Sequence, residues 1–222
     1  MADGEDTEVA TAIREHYQPR GAGDELPATE TGTTVAIADK LDTLAGIFAI
    51  GEKPSGTKDP FGLRRAAIGV IRIAIEKRLD LDLAGLLVRA VELVRADIEK
   101  SAAAAGKAAP ALASQSIAAE VYDYVLERLR AYYLERTPTA TGDLRVGAAA
   151  PGAVVTTEMF DAVLATRPAS PLDFDARLRA LSAFLTLPEA ASLTAANRRV
   201  ANILRKAAES APAQVDQDVL QA

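Results

Sequence analysis

Asp39 and Asp42 are the residues in this 222-residue chain best spaced for acid–base or metal chemistry. On a helix, residues three apart share one face, and paired carboxylates can bind a metal or transfer protons. His16 is the single histidine, and no neighbouring group in the sequence would orient it as a base in a Ser/His/Asp triad. Cysteine is absent, which excludes disulfides and zinc sites of the usual Cys/His kind. Any metal would therefore be a hard cation such as Mg²⁺ with oxygen ligands.

The loop at 51–58, GEKPSGTK, has part of a phosphate-binding motif. That motif requires G-x-x-x-x-G-K-[ST] between a strand and a helix. The two glycines have this spacing, but Thr57 and Lys58 stand in the reverse order, and the preceding segment has a helical pattern. We therefore favour a connector between two helices. In a second interpretation, Lys53 and Lys58 contact RNA phosphates.

The segment 188–209 is the strongest candidate for contact with nucleic acid. No acidic residue lies between Ala190 and Ala208, and arginine is suited to bidentate contact with phosphate. The alternative is a basic face that is simply solvated. The basic residues are Arg198, Arg199, Arg205 and Lys206. We expect the other side to be buried; it carries Leu193, Ala196, Val200, Ile203 and Leu204.

The composition limits the class of protein. The net charge is −6 and the pI is near 5.0, so RNA binding would have to use local basic patches. No apolar run approaches the ~20 residues that span a bilayer. The N-terminus, MADGEDTEVA, is acidic and has no apolar signal region. We therefore expect a cytoplasmic protein that does not interact with membranes.

Apolar residues recur with a helical period along most of the chain, which predicts an all-α fold. The segments 35–50 and 60–78 should form the main core, with Asp59 capping the second helix and Pro60 at its first position. Residues 137–155 are rich in Thr, Pro, Gly and Ala and predict a flexible linker or insertion. The predicted helices are 8–18, 35–50, 60–78, 82–104, 111–136, 156–166, 171–185 and 188–209.

Four strings in the chain carry a resemblance to a known family. They are EHYQPRGAGDELP (15–27), VAIADKLDTLAGIFAIGEKPSGTKDPFGLRRAAIGVIRI (35–73), FDAVLATRPASPLDFDARLRALSAF (160–184) and AANRRVANILRK (195–206). In order and in spacing they are similar to the beta subunit of bacterial heterotetrameric glycyl-tRNA synthetase. Family members usually carry an aromatic residue where this chain has Gly21. A full beta subunit is much longer, so the resemblance also implies that the chain is a fragment.

This resemblance implies a domain organisation. Residues 1–136 would form an HD-like helical domain, and 137–155 a flexible linker or insertion. Residues 156–222 resemble the start of the helical anticodon-binding domain, truncated soon after it begins. The expected fold is therefore an all-α, HD-like domain followed by a smaller helical segment.

The resemblance also implies a function. The family forms a heterotetramer of two alpha and two beta subunits that joins glycine to its tRNA with ATP. The adenylating site, with ATP and Mg²⁺, belongs to the alpha subunit, so we expect no catalytic residue, cofactor or metal in this chain. The beta subunit supplies most of the contact with tRNA. The candidate tRNA-binding residues are Lys53, Lys58, Arg64, Arg65, Arg198, Arg199, Arg205 and Lys206.

Two other hypotheses remain open. The string ADKLDTL also resembles the last aspartate-bearing helix of metal-dependent HD-type phosphohydrolases. Those enzymes need a His-Asp dipeptide, which this chain lacks, and His16 does not replace it. If Asp39 does not bind a metal, we expect it to pair with an arginine such as Arg64 or Arg65. The third hypothesis is a structural module that docks another subunit without binding RNA. Binding of tRNA that weakens steeply with salt would favour the first hypothesis.

Overall fold

Every regular element in the described part of the chain is a helix. The computed structural model describes residues 4–21, 23–54, 59–108, 113–134 and 155–207. Within these ranges it has eight α-helices and no strand, which confirms the predicted all-α fold. The helices are α1 Thr7–Glu15, α2 Glu30–Ala49, α3 Leu63–Glu76, α4 Leu83–Ala104, α5 Ser114–Leu134, α6 Thr157–Leu164, α7 Pro171–Leu185 and α8 Ala190–Ala207.

Helix α3 is the centre of the core. Ten of its 14 residues are buried, as its nearly continuous apolar sequence predicts. Helices α2 and α5 pack against it, and α4 packs against α2 and α5. Leu41 of α2 and Ile71 of α3 are both buried, so the predicted core of 35–50 and 60–78 is confirmed.

Helix α2 begins five residues earlier than the apolar pattern predicts. The threonine-rich segment before residue 35 has no helical period, but Thr29 is an effective cap. Its hydroxyl accepts a hydrogen bond from the N–H of Gly32 at 2.9 Å. Because this bond satisfies one of the free N–H groups of the first turn, the helix can start at Glu30.

Helix α3 begins three residues later than predicted, so Pro60 lies outside it. Asp59 does act as a cap, but from a turn that precedes the helix. Its carboxylate accepts the N–H groups of Leu63 and Arg64 at 2.8 and 3.0 Å. Gly62 takes the left-handed conformation needed there, with φ of 70°. This turn therefore sets where α3 begins, with Arg64 and Arg65 in its first turn.

An aromatic cluster attaches α6 and the first half of α7 to α5. The rings of Phe160 and Phe174 lie 4.9 Å apart, and Tyr133 lies 6.1 Å from Phe174. The Tyr133 hydroxyl donates to Asp175 at 2.6 Å, and Arg179 donates to the same carboxylate at 2.6 Å. Apolar packing therefore joins all three helices, and the buried carboxylate of Asp175 adds a polar link between α5 and α7.

The chain divides into two compact units, residues 1–179 and 180–222. Helix α7 contributes residues to both units. Of the predicted linker at 137–155, only Val155 is among the described residues. No helix in the described ranges is long and apolar enough to cross a membrane.

Candidate nucleic-acid interface

The string at 15–27 forms a strap that connects α1 to α2 and lies against the core. We use the word strap for residues 16–21 and 23–28. Three buried charged side chains hold it or its ends in place. They are Glu15, Lys40 and Arg72.

Glu15, just before the strap, is bonded to Thr29, just after it, and so holds the two ends of the strap together. Its carboxylate accepts the N–H of Thr29 at 3.0 Å and the Thr29 hydroxyl at 2.6 Å. The hydrogen bond from the Thr29 hydroxyl lowers the pKa of Glu15, although burial acts in the opposite direction. A buried carboxylate that is satisfied in this way stabilises the fold in its ionised form.

Lys40 joins α2 to the start of the strap. Its ammonium group donates to the carbonyl oxygen of His16 at 3.1 Å. Burial lowers the pKa of Lys40, and the neighbouring Asp39 opposes this effect. The lysine stem crosses Gly69 of α3, where an added Cβ would stand 2.6 Å from the lysine Cε. A larger residue at position 69 would therefore require the buried lysine stem to shift.

Arg72 holds the middle of the strap. Its Nη1 donates to the carbonyl oxygens of Gly21 and Asp24 at 3.1 and 2.9 Å. Its other nitrogens bind Glu76 at 2.7 and 3.2 Å. A planar guanidinium can satisfy a carboxylate and two carbonyls together, which a lysine could not do. The string at 15–27 therefore has a structural role.

The candidate acid–base residues do not form a site within the described ranges. Asp39 and Asp42 are exposed, and the half-buried His16 ring lies against Tyr17 with 3.8 Å between centroids. No three His, Asp or Glu side chains among the described residues are grouped closely enough to hold a metal ion.

Three of the predicted basic residues flank the connection between α2 and α3, and we call them the loop-end patch: Lys53, Arg64 and Arg65. Lys53 forms an ion pair with Glu120 of α5, and both side chains are about half exposed. Arg64 is half-buried and Arg65 is exposed. Lys58, the fourth predicted residue of this loop, lies outside the described residues. The patch is therefore partly occupied by an acidic group of the chain itself.

Two residues of α5 beside this patch were missed from the sequence, Tyr124 and Arg128. The Arg128 guanidinium lies over the Tyr124 ring, 4.9 Å from its centroid. Burial raises the pKa of Tyr124; Arg128 and Arg64 act against this rise, while Asp59 and Glu127 add to it. The tyrosine has core spacing, so its period predicts only packing. The signal in the sequence that could have revealed this pair is an arginine four residues after a tyrosine at a core position.

The basic residues of α8 lie in the second unit, and all four are exposed: Arg198, Arg199, Arg205 and Lys206. Arg205 donates to the side-chain oxygen of Asn202 at 3.2 Å. The opposite side was predicted to be buried, and this is wrong for the described structure. Leu193, Val200, Ile203 and Leu204 are 53–62% exposed, and of the whole helix only Ala190 is buried. Apart from the end of α7, the described residues of the second unit contain no further helix that could cover this side.

The sequence model of the glycyl-tRNA synthetase beta subunit matches residues 1–142 of the chain. The chain belongs to the glycyl-tRNA synthetase beta subunit family. It is 46% identical over 217 residues to the glycine–tRNA ligase beta subunit of Pseudomonas aeruginosa, covering 98% of this chain and 27% of that protein. Against the subunit of Edwardsiella ictaluri the identity is 48% over 213 residues, covering 96% of this chain and 26% of the relative. The subunit of Haemophilus influenzae is 47% identical over 205 residues, with coverage of 92% and 25%.

The chain thus spans about a quarter of the length of the glycyl-tRNA synthetase beta subunits that it matches. The family match includes the strap, the core helices and the loop-end patch, while α8 lies beyond it. The relatives nevertheless align over nearly the whole chain. Both basic surfaces therefore belong to the region shared with the relatives.

Proposed function

We propose that this chain is a tRNA-binding and scaffolding part of a glycine–tRNA ligase. In this proposal it acts in a cytoplasmic complex of two alpha and two beta subunits, and the alpha subunit binds ATP and Mg²⁺ and forms the glycyl adenylate. Residues 1–136 act as an HD-like scaffold, and 156–222 form the start of an anticodon-binding domain. Support comes from the family, the helical fold and the basic surfaces.

The observation that carries the proposal is the surface of α8. Four exposed cations occupy one 18-residue helix with no acidic residue, in a chain whose net charge is −6. Such a concentration of positive charge on an acidic protein favours contact with a polyanion at this surface. Arginine forks can donate two hydrogen bonds to one phosphate, which gives these contacts direction as well as charge.

A salt titration of tRNA binding tests the proposal. The double change Arg198→Ala and Arg205→Ala, made in the full-length beta subunit with its alpha subunit, removes two phosphate contacts. Each contact contributes ~0.7–0.9 to the slope of log affinity against log salt, so the slope should fall by about 1.4 to 1.8. The Kd for tRNA should rise, while helical content and adenylate formation stay unchanged.

The matched control is the double change Arg89→Ala and Arg95→Ala. These arginines are also exposed on a helix, α4, with side chains 68% and 45% accessible. The control should leave the salt slope within error of the wild type. If the α8 variant behaves like the control, α8 is a solvated face. The tRNA contacts would then be sought in the loop-end patch.

A docking role for α8 is the second candidate function. Its exposed aliphatic side, with Val200 and Ile203 at 53% and 58%, favours contact with other polypeptide. In that case, changing Val200 and Ile203 to serine should weaken subunit assembly but leave the salt slope of tRNA binding intact. The two sides of the helix can therefore be tested separately.

A further inference from the structure

Two buried polar atoms on neighbouring turns of α5 have no hydrogen-bond partner among the described residues. They are the hydroxyl oxygen of Tyr124 and Nε of Arg128. Buried polar groups in native proteins are almost always hydrogen-bonded, and leaving one unsatisfied costs about 1–3 kcal/mol. Two such atoms, on residues four apart in one helix, indicate a shared partner that lies outside the described residues.

The chemistry of the two groups defines that partner. The Arg128 Nε–H can only donate a hydrogen bond, and the Tyr124 phenol keeps its proton because burial raises its pKa. The partner must therefore be an acceptor, and an oxyanion can accept from both groups.

The acidic groups nearest this position are already engaged. Asp59 accepts two backbone N–H groups at the start of α3. Glu127 accepts from Nη2 of Arg128 at 2.8 Å. The charges that act on the Tyr124 hydroxyl are two positive and two negative, those of Arg64, Arg128, Asp59 and Glu127. Recognition here would therefore depend on directed donors more than on long-range attraction.

The position adjoins the loop-end patch. Glu120, Tyr124 and Arg128 are spaced at four-residue intervals on α5, so they lie along one side of the helix. Lys53 forms its ion pair with the first of them. A ligand that touches Tyr124 and Arg128 would thus lie one helical turn from Lys53.

We propose that Tyr124 and Arg128 form a binding site for one phosphate group of the tRNA backbone. In this site the tyrosine hydroxyl and the arginine Nε–H donate to the phosphate oxygens, and the arginine stays stacked on the tyrosine ring. The inference rests on the proposed function, because it takes tRNA as the ligand. It adds a buried, directional contact to the exposed cations of the loop-end patch.

The substitution Tyr124→Phe tests the site in the full-length beta subunit. It should raise the Kd for tRNA by about 10- to 100-fold, the loss expected for one hydrogen bond to a charged group. It should not lower the melting temperature, since the hydroxyl has no partner among the residues that the structure describes. It should also leave the salt slope unchanged, because a neutral donor is removed. Arg128→Gln should raise the Kd and reduce the slope by ~0.7–0.9.

Tyr122→Phe is the matched control. Tyr122 is two residues away on the same helix, and its hydroxyl donates to the carbonyl oxygen of Pro168 at 2.6 Å. This change should lower the melting temperature and leave the Kd for tRNA unchanged. A Tyr124→Phe variant that loses stability, or that binds tRNA like the wild type, would overturn the proposal.

NMR of the Arg128 Nε–H signal separates RNA from free phosphate as the source of the anion. The signal should shift with tRNA in the wild type and much less in the Tyr124→Phe variant. A shift with inorganic phosphate but none with bound tRNA would refute the RNA contact. If the wild type binds no tRNA at all, the proposed function fails. The phosphate titration then decides whether an anion site exists, and no shift there would end this proposal too.

Discussion

Replacement of Arg72 by methionine should loosen the strap and destabilise the fold. Methionine preserves most of the buried stem, so the change isolates the polar contacts. Two carbonyls, those of Gly21 and Asp24, would lose a charged donor. At about 1.5–3 kcal/mol for each bond to a charged group, the gross loss is about 3–6 kcal/mol. The variant no longer buries a charged guanidinium, which offsets part of this loss in stability. We therefore expect a net loss of about 3 kcal/mol.

Urea denaturation followed by circular dichroism measures this loss. At roughly 2–4 °C per kcal/mol for a chain of this size, the melting temperature should fall by about 6–12 °C. Hydrogen exchange should accelerate first at the strap amides, because their anchor is gone. The control is Arg95→Met, which breaks an ion pair with Glu99 of the same i, i+4 spacing but on an exposed surface. Such pairs contribute about 0.3–0.5 kcal/mol. If the two variants lose equal stability, Arg72 does not anchor the strap.

Three further predictions concern the core and the buried titratable groups. Ile71→Ala should cost about 2–5 kcal/mol in a denaturation experiment, because its side chain is fully buried; a cost below 1 kcal/mol would contradict the packing of α3. The hydrogen bond from Thr29 holds the pKa of Glu15 below its usual value of 4.5, so its stabilisation is present above pH 4.5 and is lost as the pH falls through the lowered pKa. Glu15→Gln should therefore make the acid-side decline of stability shallower, and an unchanged decline would refute this role. Burial raises the pKa of Tyr133 above 10, so its stabilisation is complete below pH 10 and is lost as the pH rises. Tyr133→Phe should make the alkaline decline shallower, measured by circular dichroism alongside tyrosinate absorbance, and an equally steep decline would count against it.

The sequence predicts the core well because burial of a helix leaves a local, periodic record. Leu41 and Ile71 follow that period, and both are buried. The strap leaves no such record. Arg72 binds residues 48 and 51 positions earlier in the chain, so no local pattern reveals the contact. The early start of α2 likewise depends on Thr29, which cannot be distinguished from its threonine neighbours by composition.

The candidate interface was predictable only in part, for a different physical reason. Basic residues such as Arg198 can be read directly from the sequence, but their exposure depends on what surrounds them. The aliphatic side of α8 has helical spacing typical of a buried face, yet Val200 is 53% exposed. The spacing shows that a helix face is apolar, but it does not show which partner covers that face. Tyr124 shows the converse, because core spacing conceals its unsatisfied hydroxyl.

The crossing of Lys40 over Gly69 links two positions that lie 29 residues apart in the sequence. A methyl group at Gly69 would overlap the lysine stem, so Gly69→Ala should be harmful while Lys40 is present. A shorter residue at position 40 would remove the overlap, but it would also release the carbonyl of His16. Each substitution is therefore unfavourable by itself, and the second partly relieves the first. Positions 40 and 69 should therefore covary among related sequences, with a change at one found together with a change at the other.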